Sequence, residues 1–218
     1  MRLSSYQWAI VVALLVVILD QVLKIWVKTD FYLGEEREIT PWFKLSFVEN
    51  NGMAFGWQFG SKLFLTLFRL LFAGAIVYYL VKLKDCIGIK FGYLICVALV
   101  LAGAVGNIID CMFYGIIFDN PVPPEVASLF PDGDGYAPFL QGRVVDMLSF
   151  PLFSFDWPDW MPIVGGSHFE FFKPVFNIAD AAISCGIIAI LLFYSKQLGH
   201  TFAELKRMRQ EKRNSVEQ

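Results

Sequence analysis

Four stretches of the chain stay apolar for about the 20 residues that a bilayer-crossing helix needs, at residues 6–27, 63–83, 91–109 and 175–194. The first follows Met1-Arg2 as a secretory leader would. It is longer than the apolar core of a leader and has no small-residue cleavage site, so it predicts a retained first span. Between the first two spans the pattern changes. Residues 38–49 carry β-branched and aromatic side chains in rough alternation, which predicts short strands. Asn50-Asn51-Gly52 follows them as a turn signal. Between spans three and four, residues 119–141 are rich in Pro, Gly and Asp and predict an exposed excursion. Residues 150–172 are crowded with rings, Trp157 and Trp160 among them, which predicts a piece lying at the headgroup level. A small loop domain with its own aromatic core is the alternative.

The expected fold class is an α-helical integral membrane protein, four transmembrane helices with a small extracytoplasmic β-sheet and a membrane-surface loop. It would form one membrane domain over residues 1–218, with extracytoplasmic loops at 28–62 and 110–174 and a cytoplasmic tail at 195–218. Charge sets the orientation. Lys82, Lys84 and Lys90 link spans two and three, and the tail carries Lys196, Lys206, Arg207, Arg209, Lys212 and Arg213. The long segment before span four is instead acidic, with Asp119, Glu125, Asp132, Asp134, Asp156, Asp159 and Glu170 against Arg143 and Lys173. Cytoplasmic loops carry the excess of Lys and Arg, so both termini are expected in the cytoplasm.

Composition agrees with a membrane protein: 56% of residues are apolar and the mean hydropathy is +0.55, above the about 45–50% apolar of soluble domains. A net charge of −2 gives no reason to expect nucleic acid. Cys86, Cys96, Cys111 and Cys185 show no C-x-x-C spacing, and His168 and His200 are the two histidines. No disulfide framework, metal site or cofactor is expected. Asp132-Gly133-Asp134-Gly135 reads as a turn, since the other ligands of a calcium loop are missing.

Candidate chemistry gathers in four places. Asp20 and Lys24 are i,i+4 on the first span, hence on one helix face, and read as a structural pair. Asn50 and Gly52 lie in a turn whose amide could hold a substrate carbonyl. Asn107 and Asp110 share a face at the end of span three, where the helix dipole disfavours a carboxylate, so something must compensate Asp110. Asn177 and Asp180 share a face near the start of span four, and Asp146 precedes that span in Val144-Val145-Asp146. A carboxylate at the edge of lipid is expensive and marks a functional site. Two within reach of each other would share a proton, one activating water and the other polarising a carbonyl. A proton or ion relay through Asp20, Asp110, Asp146 and Asp180, as in a small transporter, remains the rival, and a non-catalytic scaffold is a third reading.

Taken in order, these clusters resemble the lipoprotein signal peptidases, the type II signal peptidases of bacteria. The motifs are Asp20-x-x-x-Lys24, Asn50-x-Gly52-x-Ala54-Phe55, Gly106-Asn107-x-x-Asp110, Val144-Val145-Asp146 and Phe176-Asn177-x-Ala179-Asp180-x-x-Ile183, spread over nearly the whole chain. The resemblance implies an aspartyl endopeptidase of the bacterial inner membrane, without metal or cofactor. It would cut diacylglyceryl-modified prolipoproteins on the N-terminal side of the lipidated cysteine. Asp146 and Asp180 would be the catalytic dyad, and Asn50, Gly52, Asn107, Asp110 and Asn177 its substrate-binding or supporting frame. Its partners would be that substrate and membrane lipids, and the chain is expected to be a monomer with its active site facing the extracytoplasmic side. Three departures stand out. Cys111 occupies the place of the family's arginine after G-N-x-x-D, with Arg143 or Arg69 as candidate substitutes. Met147 replaces a phenylalanine, and residues 119–141 are an insertion.

Overall fold

A computed structural model describes residues 3–51 and 61–215. The chain divides into two compact units. One comprises Met1–Asp20, Leu63–Ile109 and Ile178–Gln218, the other Gln21–Lys62 and Asp110–Asn177.

The first unit is helical. It contains the start of α1 (Ser5–Asp30), α2 (Lys62–Leu83), α3 (Phe91–Ile109), α5 (Ile178–Phe193) and α6 (Ser195–Asn214). Helices α1 and α2, and the helical stretch Phe91–Ile117, are long and apolar enough to cross a membrane. Helix α5 has 16 residues and reaches that standard only together with α6, from which it is bent by 88°. The apolar side chains of α2 stay largely exposed, whereas α3 is mostly buried. A core of Ala9, Leu83, Tyr93, Leu94, Val97 and Ala98 lies at one end. Glycine lets α3 and α5 touch. A Cβ on Gly103 would stand 2.1 Å from the Ala179 carbonyl oxygen. Such small-residue contacts are how helices associate when burial from water supplies no drive.

The second unit is built on a sheet. Strands β1 (Glu36–Thr40), β2 (Phe43–Asn50), β3 (Val144–Ser149) and β6 (Val175–Phe176) pair antiparallel in that order. The expected strands at residues 38–49 are thus β1 and β2. Beneath the sheet, Val27, Phe31, Phe47, Tyr114, Phe118, Val145 and Met147 form one core. A π turn at Asp110–Tyr114 leads into the short helix α4 (Gly115–Ile117).

Expectations change at residues 175–176 and at residues 119–141. Residues 175 and 176 were expected in the last span. They pair instead with Ser149 and Leu148, and the helix begins at Ile178. Within the tail, Ser195–Asn214 form α6, which its i,i+4 Arg207–Glu211 pair supports at 3.3 Å. Residues 119–141 are not a bare excursion. Backbone bonds run from Phe130 N to Ile117 O (2.8 Å) and from Tyr136 N to Phe118 O (3.0 Å), and Ala127 is buried in the core. The ring-rich segment forms a hairpin of β4 (Phe153–Asp156) and β5 (His168–Phe171). Its rings stack on one another, Phe153 on Phe171 at 4.7 Å and Phe155 on Phe169 at 5.0 Å, yet Phe153, Phe155 and Phe171 remain exposed.

Candidate active site

Asp146 sits on β3 in the second unit with its side chain only 3% exposed. Strand alternation places Val145 and Met147 in the core and turns Asp146 the other way. Two asparagine amides donate to its carboxylate. Asn177 Nδ2 reaches Oδ1 at 2.7 Å and Asn50 Nδ2 reaches Oδ2 at 3.2 Å. Asn177 is fully buried and also donates to the Val145 carbonyl at 3.2 Å, which locks its rotamer. A buried carboxylate with charge-assisted donors on both oxygens is held in one orientation.

Beneath Asp146 lies a second anion. Asp110 is fully buried and pairs with the equally buried Lys24 at 2.8 Å. This cation is the compensation its position requires. Asp110 also accepts from Gln21 Nε2 at 2.9 Å and from the backbone N–H of Val145 at 3.2 Å. Through that last bond it grips β3 one residue before Asp146. The close approach of Gly142, where a Cβ would lie 2.1 Å from the Asp110 carbonyl oxygen, feeds the chain into this strand.

The rest of the second unit's polar frame escaped the sequence reading. Glu49, next to Asn50, is 4% exposed and binds both Lys28 and Arg143, the latter at 2.6 Å. Burial pushes the Glu49 carboxyl up, but the charge and hydrogen bonds of Lys28 and Arg143 outweigh it and hold it below its ordinary value. Lys28 lies over the rings of Phe118 and Tyr136 at 5.2 and 5.0 Å. Arg143 stacks on Tyr136 at 5.0 Å and donates to Asn120 at 3.1 Å. Tyr136 and Asn120 belong to the insertion, which therefore completes this cluster. Arg143, a candidate substitute for the family arginine, is engaged with Glu49. A glutamate directly beside a motif asparagine was the available signal.

In the helical unit, Asp180 lies in the first turn of α5, where the helix dipole favours an anion. Asn107 Nδ2 donates to its Oδ1 at 2.8 Å. Asp20, 1% exposed, accepts the N–H of Ala179 at 2.9 Å and so caps α5 from another helix. A Cβ on Gly106 would come within 2.7 Å of that Asp20 carboxylate. Asp20 and Lys24 are thus each tied to distant partners. Gly52, Ala54 and Phe55 lie outside the described residues. Among the described residues no group of three or more His, Cys, Asp or Glu is placed to hold a metal ion.

Comparison with known proteins adds the lineage. The family model for signal peptidase (SPase) II matches residues 12–196. A lipoprotein signal peptidase of Porphyromonas gingivalis is 50% identical over 188 residues, covering 86% of this chain and 82% of the relative. One from Amoebophilus asiaticus is 39% identical, covering 83% and 75%. A bacterial membrane enzyme solved by the in meso method shares 26% identity and a TM-score of 0.56, covering 84% of this chain and 90% of its own. With the ordered motifs mapped onto two asparagine-held aspartates, the match runs through residues 12–196, and the chain belongs to the signal peptidase II family.

Proposed function

We propose that the protein is an aspartyl endopeptidase that removes signal peptides from diacylglyceryl-modified prolipoproteins, cutting N-terminal to the lipidated cysteine. Asp146 and Asp180 act as the dyad. One carboxylate takes a proton from the attacking water while its protonated partner donates to the scissile carbonyl, and the pair titrates as a unit. The observation that carries this reading is the matched support of the two acids. Each motif aspartate accepts an asparagine amide, Asp180 from Asn107 and Asp146 from Asn177 and Asn50. An amide donor has no charge of its own, so it steadies a carboxylate without fixing it as an ion.

In this reading the chain is a monomer that crosses the bacterial inner membrane four times, with α5 as the last span and both termini in the cytoplasm. The dyad works at the outer headgroup level, where acyl chains hold the substrate. Tethering supplies the high effective concentration and orientation such chemistry needs. The exposed rings of the β4–β5 hairpin suit that level and would close over the lipidated peptide.

The test is cleavage of a diacylglyceryl-modified prolipoprotein by the reconstituted protein. Asp146→Asn and Asp180→Asn should each abolish it while the protein still folds, and chelation with EDTA should leave it unchanged. Wild-type cleavage by either variant would remove the dyad, and loss with EDTA would point to a metal.

A further inference from the structure

In the helical unit, α2, α3, α5 and α6 wall a groove of about 1160 Å³, just above the about 300–1,000 Å³ range of small-molecule sites. Its wall is fixed. Thr201 of α6 is fully buried and hydrogen-bonds Tyr79 of α2 at 2.7 Å, Tyr79 in turn bonds Tyr93 of α3, and Phe202 stacks on Tyr79 at 5.5 Å. The floor is apolar, with Phe72, Val97, Ile187 and Leu191 among its residues. Phe72, Ile187 and Leu191 remain 42–58% exposed.

One end differs. Lys82, Lys206, Arg209 and Lys212 line it, with Asp85 as the carboxylate. Asp85 already pairs with Lys82 at 3.4 Å. Lys206, Arg209 and Lys212 recur every three residues, on one face of α6. No carboxylate among the described residues lies within ion-pair reach of these three.

We propose that this groove binds one anionic phospholipid, its acyl chain along the apolar floor and its phosphate between Lys206, Arg209 and Lys212. An apolar trough on membrane-spanning helices is filled by hydrocarbon, and the cation cluster at its mouth selects the headgroup. A basic residue close to an anionic lipid surface strengthens binding roughly fivefold. The docked, bent α6 is therefore a lipid clamp rather than a loose tail.

The experiment offers the purified full-length protein an equal mixture of phosphatidylglycerol and phosphatidylcholine with matched chains, strips excess lipid, and weighs what is retained by native mass spectrometry. Wild type should retain phosphatidylglycerol at least about tenfold over phosphatidylcholine. The triple variant Lys206→Gln, Arg209→Gln, Lys212→Gln should lose that preference, and the off-groove control Lys196→Gln should keep it. Ala75→Trp, which fills the floor, should lower retention of both lipids. Equal retention by wild type, a preference surviving in the triple variant, or no effect of Ala75→Trp overturns the proposal. So does displacement by inorganic phosphate. Asp146→Asn and Asp180→Asn should bind lipid as wild type does, so this site and the proposed peptidase chemistry fail separately.

Discussion

Replacing Lys24 by Met removes one partner of a fully buried ion pair and leaves the Asp110 carboxylate in a dry interior. Breaking such a pair from one side costs about 3–5 kcal/mol, because the stranded charge keeps its desolvation penalty without the attraction that offset it. For a chain of this length about 2–4 °C of melting temperature goes with each kcal/mol, so Lys24→Met should melt roughly 6–20 °C below wild type. Adding Asp110→Asn to Lys24→Met removes the stranded charge. The asparagine carbonyl can still accept the Val145 N–H that Asp110 now holds at 3.2 Å, so β3 should stay in place. The double variant should therefore regain at least about half of the lost stability, a coupling that the two single changes cannot produce by addition. The assay is thermal unfolding of the purified protein in one detergent at one scan rate, with prolipoprotein cleavage measured alongside. Lys24→Met melting within about 2 °C of wild type, or a double variant as unstable as the sum of the singles, would refute the reasoning.

Asn177→Ala takes the 2.7 Å donor from Asp146; a hydrogen bond to a charged group is worth about 1.5–3 kcal/mol, so single-turnover cleavage should slow on the order of 10- to 100-fold. Glu49→Gln should flatten the acid limb of stability. The folded-state value of Glu49 is held below its ordinary one, so its contribution is complete above that ordinary value and disappears as pH falls through the lowered one. Melting temperatures from pH 6 to pH 3 should fall less steeply in the variant. Gly103→Ala drives a methyl into the Ala179 carbonyl and should cost about 1–3 kcal/mol. Gly74→Ala, on α2 with nothing within 4 Å, should be neutral or stabilising, and comparing the two melting temperatures tests whether the α3–α5 approach is the cause.

Much of the helical architecture was legible because a bilayer span is written locally, as one unbroken apolar run. The strand pairing was not. β2 lies beside β3 through partners such as Val48 and Asp146, nearly a hundred residues apart, and no local pattern records that. The same holds for the buried charges. Asp20 and Lys24 advertise themselves as an i,i+4 pair, but no local pattern records that Lys24 also reaches Asp110 and that Asp20 also caps Ala179. The beginning of α5 was misjudged because Val175 and Phe176 are as apolar as the span that follows. Only the demand of β3 for a partner separates strand from helix there. The insertion read as solvent-exposed because its Pro, Gly and Asp content is that of a loop. Tyr136, sandwiched against Lys28 and Arg143, shows how one ring can tie such a loop down.

The choice of asparagine around the proposed dyad follows from what the acids must do. A lysine or arginine beside either aspartate would hold it ionised and leave no carboxylic acid to polarise a carbonyl. An apolar neighbour would raise both acids and leave no base to activate water. An amide donates to the ionised form and, through its carbonyl, can still accept from a proton or a substrate N–H. Three cations of the second unit are paired with other carboxylates. Lys24 neutralises Asp110, and Lys28 with Arg143 neutralises Glu49. Those pairs hold the strands that carry Asp146 and Asn50, and asparagine amides donate to the proposed catalytic carboxylates. Asn107→Asp and Asn177→Asp should separate these roles, since each adds a competing acid without changing side-chain size. Each should move the pH profile of cleavage upward as well as lowering its maximum, because a like charge nearby raises the acid's pKa. A lower maximum with an unmoved profile would make the asparagines mere spacers.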